Sequence, residues 1–449
     1  MSTQTSAAPR AAGIWATFRE SPVAVKTVLG GVFVNKVGGF LNIFLVLFMA
    51  AQGYSPGQAA TTLGGYGAGS VVGVLIGGAL ADRLGARNAT VLSMASSAVL
   101  IASLLYLPNY PLLLAAAVLV GVLGQIYRPA SATLLSELTP DSRQVMIFAI
   151  YRFGLNLGTM AAPLIGFALY NLDHQDYDLL FWGEAAVALV YAVLAHVTLP
   201  RRAPRASAAA GPGSSGSGDG AGPGSGSGDG AAQPAGSYLA VLRDRRYMLF
   251  LVATFFNASV YIQYLSTLPL DVRAAGVELF WYTFAVSLNG FVIIVCELPM
   301  TKLTQRWPFK VTIGVTFTMV GIGFAFYGLP LGPAVIIIGT LIWTLSEVIG
   351  GPTFFAYPAI AGPAHLRGRY IGSFQFVFGL GTAVGPIVGG ILFVHLGHAV
   401  WPVLAMGSVI AVVCGVIAIR NQPKAPTPSD NGDGNRAGAE DLTPVATAE

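Results

Sequence analysis

Gly78-Ala79-Leu80-Ala81-Asp82-Arg83-Leu84-Gly85-Ala86-Arg87 is a charged, glycine-punctuated decapeptide lying between two long apolar runs. It has the form of a tight turn at a bilayer surface. Asp82 stands where the first apolar run ends, and Arg83 and Arg87 belong in the aqueous headgroup zone. Gly85 supplies the backbone freedom that a short reversal needs, and Gly78 opens the pattern G-x-x-x-D-R-x-G-x-R.

The flanking sequence supports a membrane setting. Of 449 residues, 54% are hydrophobic and only 10% charged, and the mean hydropathy is +0.67. Such a composition excludes a soluble multidomain protein and implies a polytopic membrane protein. A formal charge of +4, with no basic stretch interleaved with aromatics, gives no footing for nucleic acid. Cys296 and Cys414 each lie inside an apolar run and read as small buried side chains. The first 22 residues contain no short apolar core ahead of a cleavage site, so no removable signal peptide is expected.

A helix needs about 20 apolar residues to cross about 30 Å of hydrocarbon. Twelve runs meet that length, at approximately 24–50, 58–81, 88–107, 111–136, 144–170 and 179–199, then 247–270, 279–301, 310–329, 332–358, 370–394 and 399–419. They are numbered here as spans 1 to 12. Among the 24 Lys and Arg residues, Arg273 falls alone on one side and Lys36, Arg128 and Arg152 fall within spans; the rest share the other side. That asymmetry puts both termini in the cytoplasm.

The expected organisation is an N-terminal segment 1–22, a six-helix bundle 23–200, a linker 201–246, a second six-helix bundle 247–420 and a disordered tail 421–449. The linker carries runs such as GPGSSGSGDG and GPGSGSGDG without apolar periodicity, which marks a flexible tether. The bundles are repeats. An offset of 223 places Pro129 on Pro352, Pro140 on Pro363, Pro163 on Pro386, Gly158 on Gly381, Gly166 on Gly389 and Arg83 on Arg306. One offset holding from span 2 to span 5 implies duplication. The fold class expected is therefore all-α, twelve transmembrane helices in two pseudo-symmetric six-helix bundles.

The decapeptide resembles the signature loop between spans 2 and 3 of major facilitator superfamily transporters, with Ala86 where that family usually has a second basic residue. Six plus six spans in parallel repeats joined by a cytoplasmic tether is that family's plan. The resemblance implies that spans 1, 4, 7 and 10 line a central cavity and that spans 2, 5, 8 and 11 form the contact between halves. It also implies that the loop Gly78, Asp82, Arg83, Gly85 and Arg87 is a conformational switch. Asp82 would act on the N-terminal end of span 11, with Arg87 in reach of Glu137 or Asp141.

Ionisable groups in hydrocarbon are costly unless paired or wetted, so each one within a span is a functional candidate. Five are expected: Lys36, Arg128 and Arg152 in the first half, Glu297 and Glu347 in the second. The carboxylates can exchange protons where a guanidinium cannot, which makes Glu347 and Glu297 the proton-coupling candidates and the three cations their charge partners. The resemblance implies that span 5 packs against span 8, and agreement in depth along the two helices then pairs Arg152 with Glu297 across the contact between halves. On the cavity side, helical spacing and the family plan select Asn35, Asn42, Asn257, Tyr261, Tyr264, Thr340 and Thr344. Asn156, Pro163, Gly381, Gly385, Pro386 and Gly389 read as helix packing at the contact between halves. The run G-x-x-x-G-P-x-x-G-G over 381–390 resembles the span-5 motif of drug:proton antiporters, although here the intact copy lies on span 11.

These features favour a secondary active transporter at the plasma membrane. The leading expectation is proton-coupled export of small amphipathic molecules by a monomer that rocks its two halves, with the lipid bilayer, protons and a small-molecule substrate as partners. Proton-coupled uptake of a nutrient is the alternative. A non-transporting receptor would call for an appended signalling domain. An integral-membrane enzyme would call for carboxylates or His clustered at the cytoplasmic face, yet the acidic cluster Asp173–Asp178 faces outward and the five His residues show no ligand spacing. No cofactor or metal is expected.

Overall fold

A computed structural model of the chain describes residues 18–200, 241–304, 306–363 and 366–419. Most of the linker, the tail after 420 and residues 1–17 lie outside the described residues. Among the described residues the protein is helical, with no strand. Ten stretches are long and apolar enough to cross a membrane. The longest, Arg367–Ala418, consists of two helices, Arg367–Leu396 and Val400–Ala418, while Ala86–Leu104 is a further helix of lower hydropathy. The protein is an all-α, polytopic membrane protein, and its helices are consistent with twelve spans.

Local sequence sets several helix ends. Ser55 caps span 2 (Pro56–Leu84) through a reciprocal box with Gln58, and Pro56 occupies the first turn where its missing N–H costs nothing. Asn109 caps Tyr110–Gln125, and Asp244 caps Arg245–Tyr261. Between span 2 and span 3 (Ala86–Leu104) the chain reverses at Gly85, whose φ of +81° is one that side chains other than glycine's rarely adopt.

Spans 1, 4 and 7 are each interrupted. Span 1 is Val23–Val37 followed by Leu41–Ala51, span 4 is Tyr110–Gln125 followed by Tyr127–Leu138, and span 7 is Arg245–Tyr261 followed by Gln263–Ala274. The repeat offset of 223 carries the break at 38–40 onto 261–263, so the duplication extends to the irregularity itself.

Buried apolar side chains form three cores. One is shared by the halves, with Phe44, Phe48 and Phe181 from the first half and Tyr282, Trp343 and Trp401 from the second. The other two are confined, one to the first half around Val28, Tyr127 and Tyr191, the other to the second around Phe250, Phe317 and Phe374. The confined cores lie toward the end that carries the Asp82–Arg87 turn, called the basic end below. The shared core lies toward the opposite end.

The halves meet where span 2 packs on span 11 (Arg367–Leu396) and span 5 (Asp141–Leu172) packs on span 8 (Leu279–Thr304). A Cβ at Gly64 would lie 2.5 Å from the Ala383 carbonyl oxygen, and one at Gly290 would lie 2.9 Å from Met160. Phe167 and Phe280 touch across the same seam with ring centroids 5.6 Å apart.

The glycines expected at this contact do something else. A Cβ at Gly381 would come within 2.7 Å of the Phe255 carbonyl oxygen, and one at Gly385 within 2.7 Å of that of Ser259. Gly389 faces Gln263. These three seat span 11 on span 7 inside the second half. Their repeat partners behave alike, since Gly158 packs on Lys36 and Gly166 on Phe44, seating span 5 on span 1. Pro163 and Pro386 are buried within their helices, and Asn156 is half-buried.

Candidate functional site

The interrupted helices surround a cavity of about 1060 Å³ between the halves. Its wall takes Asn35, Lys36 and Asn42 from span 1, Tyr127 and Arg128 from span 4 and Tyr264 from span 7. Spans 2 and 11 add Tyr66, Ser70, Gln375 and Thr382. The cavity reaches Leu75, Gly372 and Phe376 toward the basic end. At the other end it stops against the shared core, where the Arg273 guanidinium donates to the Leu47 carbonyl at 3.3 Å and the Tyr282 hydroxyl donates to that of Ile43 at 3.5 Å. The conformation is thus open at the basic end and closed at the opposite end.

One wall residue escaped the sequence reading. Glu184, on span 6 (Asp178–Thr198), sends its carboxylate into the break of span 1 and accepts the Leu41 N–H at 2.6 Å. A helix that restarts at Leu41 exposes N–H groups without intrahelical acceptors, and a carboxylate at that positive end satisfies one of them. The expectation that the first half holds only buried cations is corrected accordingly. The signal was available as a single acid inside an otherwise apolar run. Lys36 lies within electrostatic range of both Arg128 and Glu184. Neither Lys36 nor Arg128 has an ion-pair partner among the described residues.

Several expected cavity residues are not among those lining this cavity. Thr340 bonds to the Tyr327 hydroxyl at 2.8 Å, which also accepts from Trp343 Nε1 at 2.8 Å. Thr344 accepts from Asn289 Nδ2 at 3.1 Å, and Asn289 also reaches Glu347 at 3.3 Å. The Tyr261 hydroxyl donates to Glu347 at 3.0 Å. Tyr261, Thr344 and Glu347 therefore belong to one polar network inside the second half. Asn257 is buried, and its side-chain carbonyl has no hydrogen-bond partner among the described residues.

Arg152 and Glu297 form an ion pair across the span 5–span 8 seam. Burial is unequal: the Arg152 side chain is 67% exposed and that of Glu297 18%. A second acid beyond the expected five, Asp271, is buried near the end of span 7, which runs to Ala274 rather than stopping at 270. It accepts from Trp401 Nε1 at 2.7 Å and faces His398 Nδ1 at 2.8 Å.

In the turn, Asp82 and Arg83 are exposed, and Gly78 faces open space. Arg87 does not reach toward Glu137. It is buried, and its guanidinium donates through Nε, at 3.1 Å, and through Nη2 to the His196 carbonyl in the last turn of span 6. That carbonyl is one of the acceptors a helix end leaves unsatisfied, and a cation is favoured there. Among the described residues no group of three or more His, Cys, Asp or Glu could hold a metal ion.

The all-α membrane bundle with its helix breaks and central cavity agrees with comparison against known families, where the model of the Major Facilitator Superfamily matches residues 28–386. The chain belongs to the Major Facilitator Superfamily. The MFS-type transporter YhjO of Bacillus subtilis (strain 168) is 22% identical over 326 residues, covering 73% of this chain and 75% of that protein. A Na(+), Li(+), K(+)/H(+) antiporter of Planococcus maritimus is 22% identical over 384 residues, covering 80% and 87%. The crystal structure of a mutant of the nucleoside transporter NupG superposes with a TM-score of 0.71 at 13% identity, covering 89% of this chain and 100% of that one. This major facilitator chain thus has the family and the fold of transporters.

Proposed function

We propose that this protein is a proton-coupled exporter of small amphipathic organic molecules, working as a monomer in the plasma membrane with both termini cytoplasmic. The observation that carries the reading is the cavity between the halves, open at the basic end and sealed at the other. Its wall mixes apolar side chains with a few convergent polar ones, the pattern of a site for an organic molecule with a polar group. On the positive-inside rule the open end faces the cytoplasm, from which an exporter loads. The likeness to a cation/proton antiporter supports exchange against protons.

Proton coupling then falls to a carboxylate. Glu347 and Glu297 are candidates from their place in the spans, and Glu184 joins them from its place on the cavity wall. Inverted membrane vesicles with an imposed inward-acid pH gradient test the reading across a panel of amphipathic dyes and antibiotics. At least one compound should accumulate and discharge the gradient in wild-type vesicles. Glu184→Gln or Glu347→Gln should abolish uphill accumulation while preserving exchange at equal pH. Wild-type accumulation that is indifferent to the gradient would remove proton coupling, and accumulation only under the reversed gradient would make the protein an importer.

A further inference from the structure

We infer that the substrate carries an anionic group, held between Lys36 and Arg128 with its apolar body pointing toward the closed end of the cavity; this rests on the reading of the cavity as a transport site. The cavity wall contains two cations and one acid. The acid sits in the break of span 1, where Glu184 accepts the Leu41 N–H at 2.6 Å; it lies within electrostatic range of Lys36 but forms no ion pair with either cation among the described residues, so positive charge on the wall exceeds negative by one. The cations are not committed, since neither has an ion-pair partner among the described residues. Low-dielectric walls focus the field of such a pair, so the cavity draws anions and repels cations. A guanidinium beside an ammonium suits a carboxylate or phosphate oxygen pair better than a neutral dipole.

The wall is also graded along its axis. Arg128 and Val120 are both on the cavity wall and stand eight residues apart along span 4, hence about 12 Å in depth at 1.5 Å per residue. Val120 shares the wall with Ile43, Leu63 and Ile101, and all four belong to the shared apolar core at the closed end. A molecule with an anionic head and an aryl or alkyl body of about that length matches both zones. A cationic amphiphile would bury its charge beside two like charges.

Matched probes test this directly: 6-phenylhexanoate, 6-phenylhexan-1-ol and 6-phenylhexylammonium, below any micellar concentration, on the purified full chain in a non-ionic detergent. The acid should raise the thermal unfolding midpoint in a saturable way, with the alcohol weaker and the ammonium without effect. Arg128→Gln and Lys36→Gln should each weaken the acid at least tenfold while leaving the alcohol within about twofold. Without ligand, both variants should unfold at or above the parent midpoint, because removing either cation relieves the repulsion between two like charges on one wall. Equal stabilisation by acid and ammonium, or unchanged acid affinity in both variants, would overturn the anion site. Vesicle flux separates the two readings: acid that binds but never moves with protons sinks the exporter and leaves the site standing. Pumping of the ammonium with no acid binding sinks the site and leaves the exporter.

Discussion

The two ends of the molecule are closed and opened by different means. At the opposite end, residues 40–49 of span 1 and 265–272 of span 7 enter one apolar core with Tyr282 and Trp401. At the basic end each half keeps a core of its own. The polar elements expected to join the halves there stand apart in this conformation: Asp82 is exposed, and Gly78 faces open space. The difference teaches that the seal present in this conformation is assembled from whole faces of helices, and we propose that the short charged turn makes the other. Each half keeps its own buried core without a seal at this end, so the basic end can open with its bundles intact.

The largest effect should come from fixing the apolar end. With Cys296 and Cys414 replaced by Ser, a short thiol cross-linker between Leu47→Cys and Arg273→Cys should stop transport almost completely, and a cleavable linker should restore it. Transport that survives complete cross-linking would mean that this end never opens. Next is Gly78→Leu, at a position where an added Cβ meets nothing within 4 Å in the present conformation. It should leave the unfolding midpoint unchanged yet reduce transport at least tenfold, by blocking span 11 from approaching when the basic end closes. A lowered midpoint would place the glycine in the folded core instead.

Asp82→Asn should reduce transport several-fold without loss of stability, since Asp82 is exposed and has no ion pair among the described residues. Accessibility of a cysteine introduced at Gln375 should rise with it, as the basic end stays open longer. The smallest effect concerns Arg152 and Glu297. Because Arg152 is largely exposed, the coupling energy in a double-mutant cycle should be about 1 kcal/mol, well below the 3–5 kcal/mol cost of breaking a fully buried pair. A coupling above about 3 kcal/mol would show that lipid or a second conformation buries the pair far more deeply.

Much of this architecture was legible in the sequence. Span length is a hydropathy property, and the repeat offset was strict enough to predict which helices correspond. The pairing of Arg152 with Glu297 followed from the family plan, which packs span 5 on span 8, together with agreement in depth along the two helices. The breaks in spans 1 and 7 were not legible: Gly38 and Gly39 resemble the small residues found throughout these helices, and Ile262 carries no breaking signal at all. The same limit misassigned Gly381 and Gly385. Spacing puts both on one face, but only three-dimensional packing decides whether that face meets span 7 or the other half. Thr340 and Thr344 failed for a related reason, since a polar stripe can be satisfied by Tyr327 and Asn289 inside a bundle as readily as by a ligand. Glu184 was legible as a lone acid inside span 6 and was passed over; only its role at the unforeseen break at Leu41 was hidden.

The shared apolar core has a thermal consequence. Exposing its Phe and Trp faces to water raises heat capacity, whereas separating the charged turn from its partner does so hardly at all. The equilibrium between the two conformations should therefore follow a curved van't Hoff plot, with the apolar seal weakening on cooling. Added salt should act on the basic end alone. A transporter sealed in this way carries a thermometer at one mouth and an ionic-strength gauge at the other.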